Sequence, residues 1–444
     1  MTIETIPNSD LQYYLVSFDK NGIERGDDPD APSGRLSDLV KQALETQPVT
    51  DVFFMSHGWK GDVPEAKAQY DKWIGAMLAC QADRERVRQV RPGFQPLLVG
   101  LHWPSLPWGD ESLEASAASF APGESPMEGW VEDAADKLAD TDRAKAALRT
   151  IFAAALDDIS PPTLPAEVVD AYKVLQEEAG LVAEGSGAAP GADAEPFDPE
   201  RRYQDELSEV ASFGGIPGVG GLLSVLRQLS FWKMKDRART VGEGGSATLL
   251  RELQQIAGAR DVRFHLMGHS FGCIVVSATV AGAGGDSALV KPVHSMFLVQ
   301  GALSLWAYCS DIPVAEGKSG YFRSILSGPK VTGPIVTTQS EHDTAVGRLY
   351  PLAAGLKGQV VFGERSLPKY GGLGSFGARG PGIAIEDKEM LSIDSSYSFV
   401  PGKTYNLESS RVIREGEGLS GAHSDIARPE VAHAFWEAVM TSDL

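Results

Sequence analysis

The stretch from Asp261 to Val276 constrains the fold more than any other part of the chain. Its first half is apolar, as expected of a buried strand, and the pentapeptide Gly268-His269-Ser270-Phe271-Gly272 follows without a gap. A serine in such a turn is held at strained backbone angles, so only small residues such as Gly268 and Gly272 fit beside it. The pattern predicts a strand, a sharp turn that presents the Ser270 hydroxyl, and a helix.

The context of this pentapeptide matters more than the pentapeptide itself. Because the chain has 48 glycines in 444 residues, G-x-S-x-G would occur by chance on the order of 0.4 times. The apolar strand before it and the small-residue helix after it favour a nucleophile elbow. The alternative is an ordinary strand-to-helix turn.

Composition limits the classes of function. The formal net charge of -20 and the pI near 4.9 argue against nucleic-acid binding, because an acidic protein repels phosphate backbones. No apolar run reaches the roughly 18 residues of a membrane span, and Met1–Asp10 has no secretory signal pattern. We therefore expect a cytoplasmic protein, although export without a signal stays open, and the sequence does not determine the oligomeric state.

Cofactor and metal signatures are weak in this sequence. Cys80, Cys273 and Cys309 form no C-x-x-C pair and predict buried free thiols, and no H-E-x-x-H motif is present. Gly372–Gly377 matches G-x-G-x-x-G, but no apolar strand precedes it and Pro381 follows where a helix should run. We interpret it as a flexible loop and expect neither a cofactor nor a metal.

Alternating apolar runs and amphipathic segments predict an α/β fold with a mostly parallel central sheet and helices on both faces. Ligands of such sheets bind at the carboxyl ends of the strands. Val52–Met55 and Pro96–Leu101 are two of the predicted strands. Several residues at the ends of the predicted strands are therefore expected to line a site beside Ser270. They are His57, Gly58, His102, Trp103 and His269.

Residues 106–239 have a different pattern, so we predict that the core comprises residues 1–105 and 240–444 with a helical insertion between them. The Gly-, Ala- and Pro-rich tract 185–199 predicts a flexible linker. An apolar stripe predicts either a helix packed on the core or a mobile lid at an apolar entrance. The stripe comprises Leu222, Val225, Leu226, Leu229 and Trp232. Both interpretations place the insertion above the sheet as a cap or lid.

A serine nucleophile needs a base to take its proton and a carboxylate to orient that base. Asp343 follows the predicted strand Gly333–Thr338, and His423 lies in a loop before the last predicted helix. Their order along the chain, Ser270, Asp343, His423, is the order found in α/β hydrolases. These three residues are the predicted catalytic triad.

Other residues compete for two of these roles. Glu341 and Asp311 are alternative acids, because the first is two positions from Asp343 and the second also follows a strand-like run. His294 and His433 are alternative bases, but the first precedes a predicted strand and the second lies within the last helix. We interpret both histidines as packing or surface residues.

The segments around Ser56-His57-Gly58-Trp59, Gly268–Gly272, Asp343 and His423 resemble the α/β-hydrolase superfamily, in particular serine esterases and lipases of poorly characterised microbial groups. The resemblance covers about Leu11–Ser105 and Ser246–Val439. It implies that the backbone amides of Trp59 and Phe271 form an oxyanion hole. His57 is expected to brace this loop rather than to react.

The expected function is that of a serine hydrolase that cleaves a small-molecule carboxylic ester through an acyl-enzyme on Ser270. The apolar stripe of the insertion favours an acyl chain or a lipid as part of the substrate. Two alternatives stay open. An acyltransferase or thioesterase would use the same triad, and an inactive scaffold would keep the fold and bind a partner.

Overall fold

The computed structural model describes residues 3–59, 63–106, 126–212, 221–349, 367–416 and 420–441. One sheet runs through the described chain. Its strands are β1 (Ile3–Thr5), β2 (Gln12–Ser17), β3 (Asp51–Ser56), β4 (Pro96–His102), β5 (Arg263–His269), β6 (Ser295–Val299), β7 (Ile335–Gln339), β8 (Ile385–Glu389) and β9 (Thr404–Glu408).

Helices separate most of these strands in sequence. In the amino-terminal part they are α1 (Leu36–Thr46), α2 (Val63–Ala79) and α3 (Gln81–Val90). The segment between β4 and β5 contains α4 (Pro126–Lys137), α5 (Asp142–Asp157), α6 (Ala166–Glu178), α7 (Pro199–Ser212), α8 (Ser224–Val241) and α9 (Ala247–Ala257). The carboxy-terminal part has α10 (Gly272–Ala281), the one-turn helices α11 (Ser324–Ser327) and α12 (Leu373–Phe376), and α13 (Pro429–Thr441).

The strand order is β1-β2-β4-β3-β5-β6-β7-β9-β8, and every neighbouring pair except β1 with β2 is parallel. The predicted α/β class with a mostly parallel sheet is therefore confirmed. The apolar residues of Leu11–Asp19 predict an edge strand. This stretch contains β2, which is not the edge, because β1 pairs along its outer side. Ser56 on β3 is in register with Gly268 on β5, so the loop after β3 begins level with the elbow.

Helices cover both faces of the sheet, as a parallel sheet that is apolar on both sides requires. On one face, α1, α8, α9 and α10 pack against the strands in a single core. On the other face, α2, α3 and α13 form a second core. Each fully buried large apolar side chain in these cores contributes about 1.5–3 kcal/mol to the free energy of unfolding.

The segment between β4 and α9 has a hydrophobic core of its own, built by α4, α5, α6 and α8. The five apolar stripe residues all lie in this core. Packing is therefore the interpretation that the structure supports, and the stripe no longer supports an acyl chain or lipid as substrate. The alanine-rich stretch Val131–Ile159, whose composition predicts helix, holds the end of α4 and the whole of α5. The Thr141 hydroxyl accepts a hydrogen bond from the Ala144 amide and so caps the start of α5.

The tract 185–199, for which composition predicts a flexible linker, is packed against the rest of the protein. Asp193 is buried and its Oδ2 lies 2.5 Å from Nζ of Lys235 on α8. A Cβ at Gly187 would approach the Ser319 carbonyl oxygen to 2.6 Å. Small residues are used here because the backbone passes close to its neighbours, so their number does not indicate freedom of movement.

The described helices include none that is both long and apolar enough to cross a bilayer. The three cysteines carry free thiols, and Cys273 and Cys309 are buried. Burial raises the pKa of the Cys273 thiol well above its ordinary value, so this side chain behaves as a small apolar group.

Candidate active site

Ser270 stands at the sharp turn between β5 and α10. Its φ of +55° lies in the left-handed region, which non-glycine residues seldom adopt. A Cβ at Gly268 would come within 2.5 Å of the Gly272 carbonyl oxygen, and one at Gly272 would collide with the backbone oxygens of Ser56 and His57. The two glycines are required because three backbone segments meet at this turn. The structure thus has the strand, strained turn and helix that the sequence predicts.

His423 reaches the nucleophile from a short helical turn, Ala422–Ser424, that precedes α13. Its Nε2 lies 2.8 Å from Oγ of Ser270. Its Nδ1 lies 2.8 Å from Oδ2 of Asp343, and since a carboxylate only accepts, Nδ1 carries the proton. This leaves Nε2 free of a proton and able to accept one from the serine hydroxyl.

Asp343 lies just beyond the carboxyl end of β7 and is almost fully buried. Its Oδ1 accepts a hydrogen bond from the Val346 amide at 2.9 Å. Its Oδ2 accepts from His423 and also from Nε2 of Gln300 at 2.8 Å. A buried carboxylate needs such donors to stay charged. Both oxygens are therefore fixed, and the imidazole of His423 is fixed with them.

Gln300 is a site residue that the sequence analysis did not identify. It directly follows β6, and its φ of +46° is also in the left-handed region. The Thr338 hydroxyl donates to its Oε1 at 2.8 Å, which orients the carboxamide with Nε2 toward Asp343 and the Gly374 carbonyl oxygen. Its place at the end of a buried strand, the rule that led to Asp343, could have identified it.

His269 connects the nucleophile turn to the loop that carries the base. Its Nε2 donates to the His423 carbonyl oxygen at 2.9 Å, and its Nδ1 accepts from Nε2 of Gln69 at 3.0 Å. Burial, together with the nearby His423, lowers the pKa of His269 well below its ordinary value. It is therefore a neutral connector, and the predicted lining role is consistent with this position.

The loop after β3 lies directly against the nucleophile. A Cβ at Gly58 would approach Cβ of Ser270 to 2.7 Å, so the backbone of Gly58 and Trp59 passes beside the serine. Phe271 directly follows Ser270 and is the first residue of the turn into α10. The two residues that the resemblance assigns to an oxyanion hole thus both lie next to Ser270.

Buried polar groups hold this loop in place. The Nδ1 of His57 donates to the Gly58 carbonyl oxygen at 2.8 Å, and its Nε2 lies 3.2 Å from Nδ1 of His102. The ring of Trp103 stacks on that of His57 with a centroid distance of 5.6 Å. Burial lowers the pKa of His57 to about 3 and that of His102 to about 4. His57, His102 and Trp103 support the loop, and the His57 ring is not directed at Ser270.

An aromatic side chain of the insertion also contacts this site. Phe231 on α8 lies 5.4 Å from the ring of Trp59 and 5.0 Å from the ring of Phe271, measured between centroids. Trp59 and Phe271 are themselves 5.9 Å apart. Three separate segments therefore meet in one aromatic cluster beside Ser270, a contact that apolar periodicity alone could not predict.

A cleft of about 360 Å³ opens next to the nucleophile, between α2 and the loop after His423. Its size lies within the range of small-molecule sites. The residues that line it are Trp59, Glu65, Ala68, Gln69, Lys72, Trp73, His269, Ser424, Ile426 and Ala427. The cleft thus borders the site through His269 and Ser424, which are the chain neighbours of Ser270 and His423.

The competing acids and bases lie elsewhere. Asp311 is exposed, and Glu341 is more than half exposed and pairs only with His342, at 3.8 Å. His294 Nδ1 accepts from the Phe264 amide, and His433 Nδ1 is bonded to Asp83 at 2.8 Å. The segment Gly372–Gly377, interpreted as a flexible loop, instead contains α12. This helix is joined to the acid loop, because the Ser375 hydroxyl donates to the Asp343 carbonyl oxygen at 3.3 Å and the Ser340 amide donates to the Gly374 carbonyl oxygen at 2.9 Å.

In the described part of the chain, one group of side chains has ligand atoms close enough together to hold a metal ion. It consists of Asp83, His433 and Glu437. Nδ1 of His433 is bonded to Asp83, and Glu437 pairs with Arg86 at 2.5 Å and accepts from the Tyr397 amide. Because a cationic side chain already balances these carboxylates, the group is an ion-pair cluster that joins α3 to α13.

Comparison of the chain with protein-family models, with curated proteins and with solved structures gives no match, so the function of this site is argued from its geometry alone.

Proposed function

We propose that the protein is a serine hydrolase of the α/β-hydrolase type that cleaves carboxylic esters through an acyl-enzyme on Ser270. The observation that carries the proposal is the continuous hydrogen-bonded chain from Ser270 through His423 to Asp343, with 2.8 Å at each step. The three residues come from the ends of different strands and from a distant loop. Packing alone does not require a hydroxyl, an imidazole and a carboxylate to meet in this order.

The geometry supports the following reaction. Oγ of Ser270 attacks the ester carbonyl carbon while its proton passes to Nε2 of His423, and Asp343 stabilises the resulting imidazolium. The backbone amides of Trp59 and Phe271 stabilise the negative oxygen of the tetrahedral intermediate. His423 then gives the proton to the leaving alkoxide. A water molecule, deprotonated by the same imidazole, releases the acid and restores Ser270.

The insertion is proposed to act as a fixed cap over the elbow. Helix α8 is buried on nearly all sides, between the insertion's own core and the core around α10. A helix that is buried all round is an integral part of the fold. The contacts of Phe231 therefore support a cap that shapes the site, in place of a lid that opens and closes.

A fluorophosphonate probe tests the proposed function. The wild type should be labelled covalently, and Ser270→Ala should not be, while both give the same circular dichroism spectrum. Labelling should be accompanied by hydrolysis of short p-nitrophenyl esters. A folded wild type that is neither labelled nor active would contradict the proposal and favour the inactive scaffold.

A further inference from the structure

The cleft beside Ser270 has a chemical character that points to a class of substrate. His269, next to Ser270 in the chain, and Ser424, next to His423, line it together with Trp59. A group bound in this cleft would therefore lie close to an ester bond positioned at Ser270. The inference below rests on the proposed hydrolase function and extends it to the substrate.

Helix α2 presents one face to the cleft, with residues spaced three or four positions apart along it. These residues are Glu65, Ala68, Gln69, Lys72 and Trp73. Trp59, Trp73 and Ile426 supply apolar surface, which suits the carbon skeleton of a substrate. The cleft is thus apolar in part, and its polar groups decide what else a substrate must carry.

Most of these polar groups are already engaged. Gln69 donates to Nδ1 of His269, whose Nε2 donates to the backbone of the base loop. Glu65 also has an interaction partner of its own. Lys72 differs, because no salt bridge joins it to any residue that the structure describes, whereas Lys67 on the same helix pairs with Glu4 at 2.7 Å. Lys72 is exposed at the mouth of the cleft.

We propose that the cleft binds the part of the ester that carries an anionic group, and that Lys72 recognises this group. Because the protein has a net charge of -20, its surface as a whole repels a carboxylate. A carboxylate is attracted only near a cationic side chain that is not already paired with an acidic one. Among the described residues of the cleft, Lys72 is such a cation, and the apolar side chains of Trp73 and Ile426 line the same cleft. The substrate class is an ester with a carboxylate a few bonds from the scissile carbonyl.

Two pairs of esters test the proposal. The first pair is mono-4-nitrophenyl adipate and its neutral methyl ester, which place the charge on the acyl side. The second pair is the butyrate of 4-hydroxybenzoate and that of methyl 4-hydroxybenzoate, which place it on the alcohol side. The wild type should prefer the anionic member of at least one pair in kcat/KM, and the pair concerned identifies the part that enters the cleft.

Lys72→Gln should lower kcat/KM for that anionic ester roughly fivefold, as expected for an exposed charge pair. Any loss for the neutral ester should be smaller, so that the ratio of kcat/KM for the anionic ester to that for the neutral ester falls. Lys67→Gln is the matched control, since it removes the same charge from the same helix, and it should keep the preference. Ionic strength of about 0.5 M should reduce the preference in the wild type, because salt screens an exposed pair.

Equal rates on both members of both pairs would overturn this inference, as would the same loss in Lys67→Gln as in Lys72→Gln. In either case, intact labelling of Ser270 by the fluorophosphonate would leave the hydrolase function standing. Absence of both labelling and hydrolysis would overturn the two proposals together.

Discussion

One oxygen of Asp343 accepts hydrogen bonds from two site residues, the imidazole of His423 and the carboxamide of Gln300, both at 2.8 Å. The carboxamide is oriented in turn by Thr338, whose hydroxyl donates to Gln300 Oε1. The acid of the triad is therefore positioned from β6 and β7 together. Its orientation does not depend on its own loop alone.

Replacing Gln300 by leucine should lower kcat by about 10- to 100-fold, because a hydrogen bond to a charged group contributes about 1.5–3 kcal/mol. The control is Gln254→Leu, which removes a buried carboxamide that bonds the backbone of Lys291 on the outer part of the fold. Both variants should lose stability in urea titrations. If Gln300→Leu and Gln254→Leu had equal kcat, Gln300 would have a structural role only.

Replacing Asp343 by asparagine should lower kcat by about 10⁴-fold and leave the fold intact. The asparagine amide can donate to Nδ1 of His423, which would place the imidazole proton on Nε2, where it cannot accept the serine proton. The measurement is steady-state hydrolysis with circular dichroism as the folding control. Turnover equal to that of the wild type would show that Asp343 is not the acid that orients His423.

Replacing Gly58 by alanine should lower kcat by about 10²–10³-fold, the typical cost of losing one oxyanion donor. The added Cβ would lie 2.7 Å from Cβ of Ser270, so the loop or the nucleophile must move. The matched control is Gly75→Ala on α2, where a Cβ meets nothing within 4 Å. Affinity for a trifluoromethyl ketone should fall in the first variant and stay constant in the second.

Replacing Phe231 by alanine should lower kcat about 10- to 100-fold with little change in KM, because small displacements of catalytic groups are costly. Phe231 contacts both Trp59 and Phe271. Leu226→Ala is the control, since Leu226 is fully buried in the core of the insertion and its loss should cost about 2–5 kcal/mol of stability. Leu226→Ala should melt earlier yet keep its kcat. If kcat fell in both variants in proportion to the loss of stability, Phe231 would have no positioning role.

Below pH 6.5 the protein should lose stability because it contains buried neutral histidines. Burial lowers the pKa of His57 to about 3 and of His102 to about 4, and that of His269 lies well below its ordinary value. The unfolded chain takes up these protons near pH 6.5, while the folded protein does not until lower pH. Stability is thus complete above pH 6.5 and is lost as the pH falls toward the folded pKa values.

The expected slope between pH 6 and pH 5 approaches about 1.4 kcal/mol per pH unit for each such histidine. Urea titrations at pH 7.5, 6.5, 6.0 and 5.0 measure it. For each such histidine the free energy of unfolding should fall by only about 0.4 kcal/mol between pH 7.5 and 6.5 and by about 1.2 kcal/mol between pH 6.0 and 5.0. A constant free energy down to pH 5 would mean that these histidines are accessible to protons in the folded protein.

Local sequence was sufficient for the elements that define the site. The elbow could be predicted because strand, glycine, serine and glycine impose a geometry on one another within a few residues, and the φ of +55° at Ser270 agrees with it. Asp343 and His423 could be proposed from their positions after strands and from their order. The sequence could not establish that Asp343 and His423 lie within hydrogen-bonding distance of each other and of Ser270. That depends on how β5, β7 and the loop before α13 pack together.

Other features depended on contacts between distant segments. Composition suggested a flexible tract at 185–199, but the buried pair of Asp193 and Lys235 holds it against α8. The stripe of the insertion was ambiguous, because apolar periodicity indicates that a face is buried without indicating against what. Phe231, Gln300 and Lys72 carry no motif. Their roles follow from the neighbours that tertiary structure gives them.

The sequence by itself determined the class of fold, the strained turn and the three side chains with the right chemistry, because these depend on backbone sterics and on periodicity along the chain. Tertiary structure alone decided which side chains meet. Hydrogen bonds of 2.8 Å between residues 80 and 153 positions apart require the whole sheet to be assembled first. The cleft at Lys72 likewise exists only where α2 and the base loop come together.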